Sequence, residues 1–185
     1  MKHLSTNNFR TFKSLKTISI VFLVILTGAS VSFSADYFWV NGSGNWSDFT
    51  GHWATTSGGA VMHTEAPGAD DDVFFDSNSF PFTEDTVTVD IAAVCRTMDW
   101  STVTNNPEFS GFNSIEVYGS FVFSPDMTAG YSGSLLFKAT DAGNIIDFST
   151  VLLSINGLNF DGSGEWTMQS DYKPPWGQFT VAKGT

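Results

Sequence analysis

S-I-E-V-Y-G at 114–119, S-L-L-F-K-A at 134–139, G-L-N-F-D-G at 157–162 and G-Q-F-T-V-A-K-G at 177–184 are the four runs that decide how this chain folds. A second set interleaves with them: G-S-F-V-F-S from Gly119, G-N-I-I-D-F-S from Gly143 and G-E-W-T-M-Q-S from Gly164. Each run is short, rich in β-branched and aromatic residues, and bounded by Gly, Asn, Asp or Ser, which is strand-and-turn chemistry. Both sets advance by a near-constant step. Two strands recurring about every 20–24 residues are the arithmetic of a parallel β-helix, or β-solenoid.

One coil of such a stack cannot bury its own inward face. Stacked coils pair their backbones and share a core, here expected to hold Ile115, Val117, Leu135, Phe137, Leu158, Phe160, Phe179 and Val181. Strand alternation sends Glu116, Asn159 and Thr180 outward. An antiparallel β-sandwich also uses short strands at regular spacing and is the rival architecture. Constant spacing and matched residue types at matched positions favour the solenoid.

Working outward from the repeats, no window sustains the i, i+3, i+4 apolar spacing of an amphipathic helix, so the domain reads as nearly all β. Three segments are expected: a signal peptide over 1–34, a Trp/Gly-rich N-terminal cap with an acidic turn over 35–82, and solenoid coils over 83–185. Lys2, Arg10, Lys13 and Lys16 precede an uncharged apolar run from Ile18 to Leu26, with small residues after it. That run is shorter than the roughly 20 residues a membrane span needs, and cleavage after Ser34 places small residues at both specificity positions. The expected localisation is therefore secreted or bacterial cell surface, with no membrane insertion once the peptide is removed. The last run stops where a further coil or cap is expected, so the chain reads as part of a longer protein.

Beyond residue 34 the chain keeps only Arg96, Lys138, Lys173 and Lys183 against nineteen carboxylates, a formal charge of −15. Such a balance excludes nucleic acid as a partner and disfavours anionic membranes, because both recruit proteins through Lys and Arg. Cys95 is the single cysteine, so no intramolecular disulfide forms. Its setting, V-D-I-A-A-V-C-R, reads as a small buried hydrophobe.

Two stretches are candidates for a site. In Y-F-W-V-N-G-S-G-N-W-S-D-F-T-G-H-W at 37–53, Trp39, Trp46 and Trp53 recur at an even interval. Exposed tryptophans stack on sugar rings, so these three form a candidate glycan platform; the competing and favoured reading is a plug on the open end of the first coil, with Gly42 and Gly44 turning the chain. The second stretch is P-G-A-D-D-D-V-F-F-D, where Asp70, Asp71, Asp72 and Asp76 are candidate calcium ligands, since Ca²⁺ takes six to eight oxygens in irregular geometry. The spacing lacks the glycine and glutamate of an EF-hand loop, and a polar turn fixed by its own Asp side chains explains the same residues. No other cofactor is implied. His52 and His63 stand apart without a third ligand, and no hydrolase, metalloprotease or phosphate-loop motif occurs. Glu116, Asp147 and Asp161 face outward and could supply the carboxyl pair that glycoside chemistry needs, but nothing in the sequence selects them.

The stretch Y-F-W-V-N-G-S-G-N-W-S-D-F-T-G-H-W-A-T-T-S-G-G, followed by A-P-G-A-D-D-D-V-F-F-D-S-N-S-F and T-V-T-V-D-I-A-A-V-C-R-T-M-D-W, resembles the start of large secreted β-solenoid surface proteins of the Bacteroidetes type. Many of those carry a sorting domain for type IX secretion; none is found in these residues. The coil G-L-N-F-D-G-S-G-E-W-T-M-Q-S is similar to their body repeats, and G-N-W-S-D with the following H-W is similar to openings of autotransporter passenger repeats. The resemblance implies an architecture and, loosely, an adhesin or matrix role. The expected function is a non-catalytic scaffold and display surface, with extracellular polysaccharide or cell-surface glycan as partner. The alternatives are a carbohydrate-binding module and the N-terminal part of a polysaccharide-active β-helix enzyme.

Overall fold

The computed structural model describes residues 34–172 and 178–182. The expected signal peptide, apart from Ser34, therefore lies outside the described residues.

Among the described residues, sixteen short strands in three sheets and one helical turn are formed. The long sheet contains β1 (Asp36–Trp39), β3 (Trp53–Ala54), β4 (Asp72–Phe74), β7 (Met98–Asp99), β10 (Phe121–Val122), β13 (Asn144–Asp147) and β15 (Trp166–Met168). A second, of four strands, comprises β2 (Gly44–Asn45), β5 (Thr86–Val89), β8 (Glu108–Gly111) and β11 (Thr128–Ala129). The third holds β6 (Ala93–Cys95), β9 (Ile115–Val117), β12 (Ser134–Phe137), β14 (Gly157–Phe160) and β16 (Gln178–Val181). From β4 to β13 the chain visits the three sheets in the same cyclic order, and each strand except β11, where the four-stranded sheet ends, pairs in parallel with the strand one coil on.

This is a β-solenoid, as the spacing predicts. Ala93, Ile115, Leu135, Leu158 and Phe179 stand in register on the five-stranded sheet, each one coil beyond the last. On the long sheet Val73, Met98, Phe121, Ile146 and Met168 are in register in the same way. The antiparallel sandwich does not hold: among the named strands only β1 with β3 runs antiparallel.

Two features go beyond the expected pattern. Coils carry three strands where the spacing predicts two, because the four-stranded sheet fills a third side from β2 to β11. The segment 35–82 also supplies strands to the stack, since β1 pairs in parallel with β4 and β2 with β5. A wide excursion, from Asp36 to its register partner Asp72, hides that continuity. It contains the one-turn helix α1 (Phe49–His52) and β3, which lies along the free edge of β1.

Inward side chains form one core. Ile115, Val117, Leu135, Phe137 and Leu158 are fully buried and Phe160 nearly so, as strand alternation requires. Phe179 and Val181 share their register but are 55% and 56% exposed. No strand among the described residues pairs with the far edge of β16, so no further coil covers these two side chains, and Phe179 packs on Phe160 alone among the rings (5.5 Å) of the described residues. Aromatic rings continue the core along the axis: Phe75 on Trp100, Trp100 edge-on to Phe109 and Phe123, and Phe123 edge-on to Phe148. Such pairs add to the burial of their area, which is where a chain without a disulfide gains its stability.

Candidate functional site

The three candidate tryptophans lie inside the protein. Trp39, Trp46 and Trp53 are all 0% exposed, so their ring faces are not available to a sugar and the glycan platform at these residues is corrected to a plug. Trp53 packs edge-on against Trp39 and Trp46 at centroid distances of 4.9 and 4.8 Å. The indole N–H of Trp39 donates to the Gly42 carbonyl (2.7 Å), and that of Trp53 to the Trp46 carbonyl (3.0 Å). Both polar atoms are thus satisfied by the turn that the motif itself encodes.

Histidine completes the plug. His52 stacks on Trp39 (4.6 Å, 11°) and its Nδ1 lies 2.7 Å from the Val40 carbonyl. His63 stacks on Tyr37 (3.5 Å, 12°). Both rings are spent on packing. Gly44 is required because His52 lies directly over it, where a Cβ would collide with the ring, while Gly42 turns the chain at a φ of 72°.

The acidic turn is a hydrogen-bonded corner. Asp71 accepts from the Ala35 and Gly68 amides, Asp76 from the Asn78 amide and the Ser79 hydroxyl, and Asp72 from Arg96 and the Thr97 amide. Separate donors hold Asp71, Asp72 and Asp76 apart. Among the described residues no group of three His, Cys, Asp or Glu side chains, Asp70 included, is arranged to hold a metal ion. The four carboxylates expected to gather around calcium therefore do not converge, because three of them spend their oxygens on the corner.

Charge pairs cross between coils. Arg96 forms a bidentate bond with Asp72, which lies one coil earlier on the long sheet. Burial alone would raise the Asp72 carboxyl, but the bonds from Arg96 and Thr97 outweigh it and hold the carboxyl below its usual range. Lys138 Nζ lies 2.6 Å from Glu116 Oε1 and Tyr118 donates to Oε2 at 3.0 Å. These bonds lower the Glu116 carboxyl as well. A glycosidase general acid needs a raised pKa, the opposite of what Lys138 imposes on Glu116. Asp161 lies near this pair and disfavours the charge on Glu116, while Asp147 sits on the long sheet and accepts from the Ser149 amide. Asp147 is thus set apart from Glu116 and Asp161.

A feature that sequence reasoning missed lies further along the stack. Past β11 the four-stranded sheet stops, and residues 149–156 cross that side without forming a strand. Leu153 and Ile155 anchor the crossing in the core, whereas Leu152 stands 71% exposed. Between this segment and Asp171–Tyr172 of the next coil opens a cleft of about 200 Å³ lined by Ser149, Thr150, Val151, Leu152, Leu153, Asp171 and Tyr172. It is continuous at Asp171 and Tyr172 with a shallower groove of about 480 Å³ that also touches Met168, Ser170 and Phe179. Ser149 is held at a φ of 52°, uncommon for a residue with a side chain, and its amide donates to Asp147 Oδ1 (2.7 Å). Burial raises the Tyr172 phenol, which therefore stays protonated at neutral pH. Nothing in S-T-V-L-L-S-I-N marks a cleft, because the segment reads as one more apolar strand.

Among the described residues no helix is long and apolar enough to cross a membrane. No family model matches the chain, and neither a curated protein nor a solved structure does.

Proposed function

We propose that this chain is a non-catalytic secreted or cell-surface protein of adhesin or matrix type, in which the solenoid acts as scaffold and display surface. The observation that carries the reading is the in-register outer face of the five-stranded sheet, where Val94, Glu116, Leu136, Asn159 and Thr180 stand in one row. Parallel strands repeat every ~4.8 Å, so such a row is a straight ruler of side chains on a core packed with rings. Coil-crossing pairs such as Lys138 with Glu116 tie neighbouring turns together and favour a stiff rod over a flexible linker. The basic and apolar N-terminal residues, and a charge of −15 beyond them, support export and solubility outside the cell.

N-terminal mass spectrometry together with protease shaving of intact producing cells tests this. The expected result is a chain that begins at Ala35 and is cleaved, or found in the medium, while the cells remain sealed. A chain that keeps Met1 and is protected inside the cell overturns the proposal.

A further inference from the structure

We infer that Asp71 is the receptor for the chain's own α-ammonium group, created at Ala35 by processing, so that removal of the leader tightens the closure of the first coil. The inference rests on the export reading, with cleavage between Ser34 and Ala35, and gives the acidic turn a role of its own. The step is a hydrolysis. As water adds, the Ser34–Ala35 C–N bond breaks and the hydroxyl joins the Ser34 carbonyl carbon. The second water hydrogen and the acid proton go to nitrogen, which leaves a carboxylate on Ser34 and an α-ammonium on Ala35.

The geometry for that group is already in place. Ala35 N lies 2.9 Å from Asp71 Oδ1, while Asp71 Oδ2 accepts from the Gly68 amide at 2.9 Å. The Ala35 carbonyl accepts from the Asp72 amide at 3.0 Å, one residue before the β1–β4 ladder begins at Asp36 and Asp72. Ala35 is therefore held at both main-chain polar atoms and packs half-buried against the core, whereas Ser34 is exposed. In the unprocessed chain the Asp71 contact joins a neutral amide to a carboxylate. With an ammonium it joins opposite charges in a part-buried setting, where salt screens them less.

Charge at this corner is lopsided. Asp36 on β1, Glu65 in the excursion and Asp70, Asp71 and Asp72 in the turn surround it, with Arg96 from the next coil. Arg96 is bonded to Asp72 and acts next on Asp36 and Asp70. Asp71 and Glu65 act on the Tyr37 phenol, which burial and these charges push up to about 12. His63 is stacked on that ring, with its Nε2 3.1 Å from the Asp36 carbonyl. An α-ammonium is the complementary charge for the Asp71 side of the corner. Position matters to a single residue: a chain that starts at Asp36 has no Ala35 nitrogen, and one that starts at Ser34 puts an amide back against Asp71. The pair raises the amine above its unfolded pKa near ~8, so its contribution is full below about pH 8 and is lost as pH rises through the folded value.

Chains with set first residues, made by cleaving a fusion in vitro, test the pairing; they start within the compact unit Ser32–Thr185. NMR titration of an isotope-labelled, dimethylated α-amine should place the Ala35 chain about one pH unit or more above the Ser34 chain, and Asp71→Asn should erase the difference. Acetylating the Ala35 amine restores the amide of the unprocessed chain and should lower Tm by about 2–4 °C at pH 7. That loss should shrink between about pH 8 and pH 10, and the comparison stands even if Asp71→Asn does not fold. Equal α-amine values in the Ala35 and Ser34 chains, a difference that survives Asp71→Asn, or an acetylated chain as stable as the free one at pH 7 overturns the inference. An exported chain that begins elsewhere overturns the export reading and the processing role with it, whereas set termini judge the Asp71 pairing separately.

Discussion

Phe75 and Trp100 lie ring over ring, with centroids 3.7 Å apart and planes 10° from parallel, at corresponding positions of successive coils. The contact follows from register: Phe74 pairs with Asp99, so the next residue of each coil enters the core at the same height. Truncating one ring should leave a cavity that neighbouring coils, tied by their ladders, cannot collapse. Phe75→Ala is expected to cost about 3–5 kcal/mol, a fall in Tm on the order of 10 °C for a domain of this size. A sharper comparison uses the indole N–H groups. That of Trp100 is buried without a partner, whereas that of Trp53 donates to Trp46. Trp100→Phe removes an unsatisfied donor and so offsets part of its lost volume, while Trp53→Phe orphans a carbonyl. Urea titration should find Trp100→Phe less destabilising by about 1 kcal/mol or more. Equal losses would mean that the Trp100 N–H has a partner in solution.

Two of the three sheets are legible in the sequence because, from Ile115 onward, their strands alternate apolar positions at near-constant steps. The four-stranded sheet is not. β2 and β11 are two residues each, β8 ends in a glycine, and only T-V-T-V of β5 carries the alternation that marks a strand. On the long sheet the register partners Val73, Met98 and Phe121 keep steps of 25 and 23 residues, but β4 and β7 are too short to mark them in the sequence; the excursion from Val40 to Asp71 breaks the period only before β4. For the site, local pattern overstates what clustering achieves. Four neighbouring aspartates suggest a shared ion, but a tight turn has its own amide donors, and these take up the Asp71 and Asp76 oxygens. The cleft is invisible for the converse reason: it joins residues 149–153 to 171–172, which only coil stacking makes neighbours.

Gly44→Ala is expected to loosen the N-terminal plug. The added methyl group would meet the His52 ring, which is pinned by its stack on Trp39 and its bond to the Val40 carbonyl. Overpacking a site with no free direction costs about 1–3 kcal/mol. The paired variant Gly44→Ala/His52→Ala, which removes the obstructing ring, should be less destabilised than the sum of the two single changes. Thermal melts that show simple additivity would disprove the clash.

Acid should weaken the coil-crossing pairs in a defined window. The folded Asp72 carboxyl lies below its unfolded value near 3.9, so its contribution is complete above about pH 5 and fades as pH falls through the folded value. Protonation also relieves repulsion among the many other carboxylates, which works the other way, so the informative quantity is a difference. Asp72→Asn should be less stable than the natural chain by about 1–2 kcal/mol at pH 7, and the gap should close below about pH 3. A gap of constant size from pH 7 to pH 3, followed by urea unfolding, would show that the pair contributes nothing ionic. Arg96→Met at pH 7 should match or exceed the loss in Asp72→Asn, because it leaves a half-buried carboxylate without its guanidinium.

Cys95 is the last group whose behaviour the packing fixes. It sits on β6 with no exposed surface, its Cα in register with Val117. Burial pushes its thiol well above the ordinary range, with the Asp72 charge adding to the shift. A thiol that is both inaccessible and protonated cannot supply the thiolate that alkylation and disulfide exchange require. Iodoacetamide at pH 8 should therefore leave the native chain unmodified over hours and label it fully within minutes in concentrated guanidinium, read by intact mass. Partial denaturation separates two routes of access. Labelling that tracks global unfolding places β6 in the cooperative core of the stack, whereas labelling well before the unfolding midpoint would show that this edge strand of the five-stranded sheet opens on its own. The first outcome is expected, since Cys95 packs in the same core as Met98, Val117 and the aromatic column. Cys95→Ala should then cost only about 1–2 kcal/mol, and rapid labelling of the native chain would contradict the burial on which the whole prediction stands.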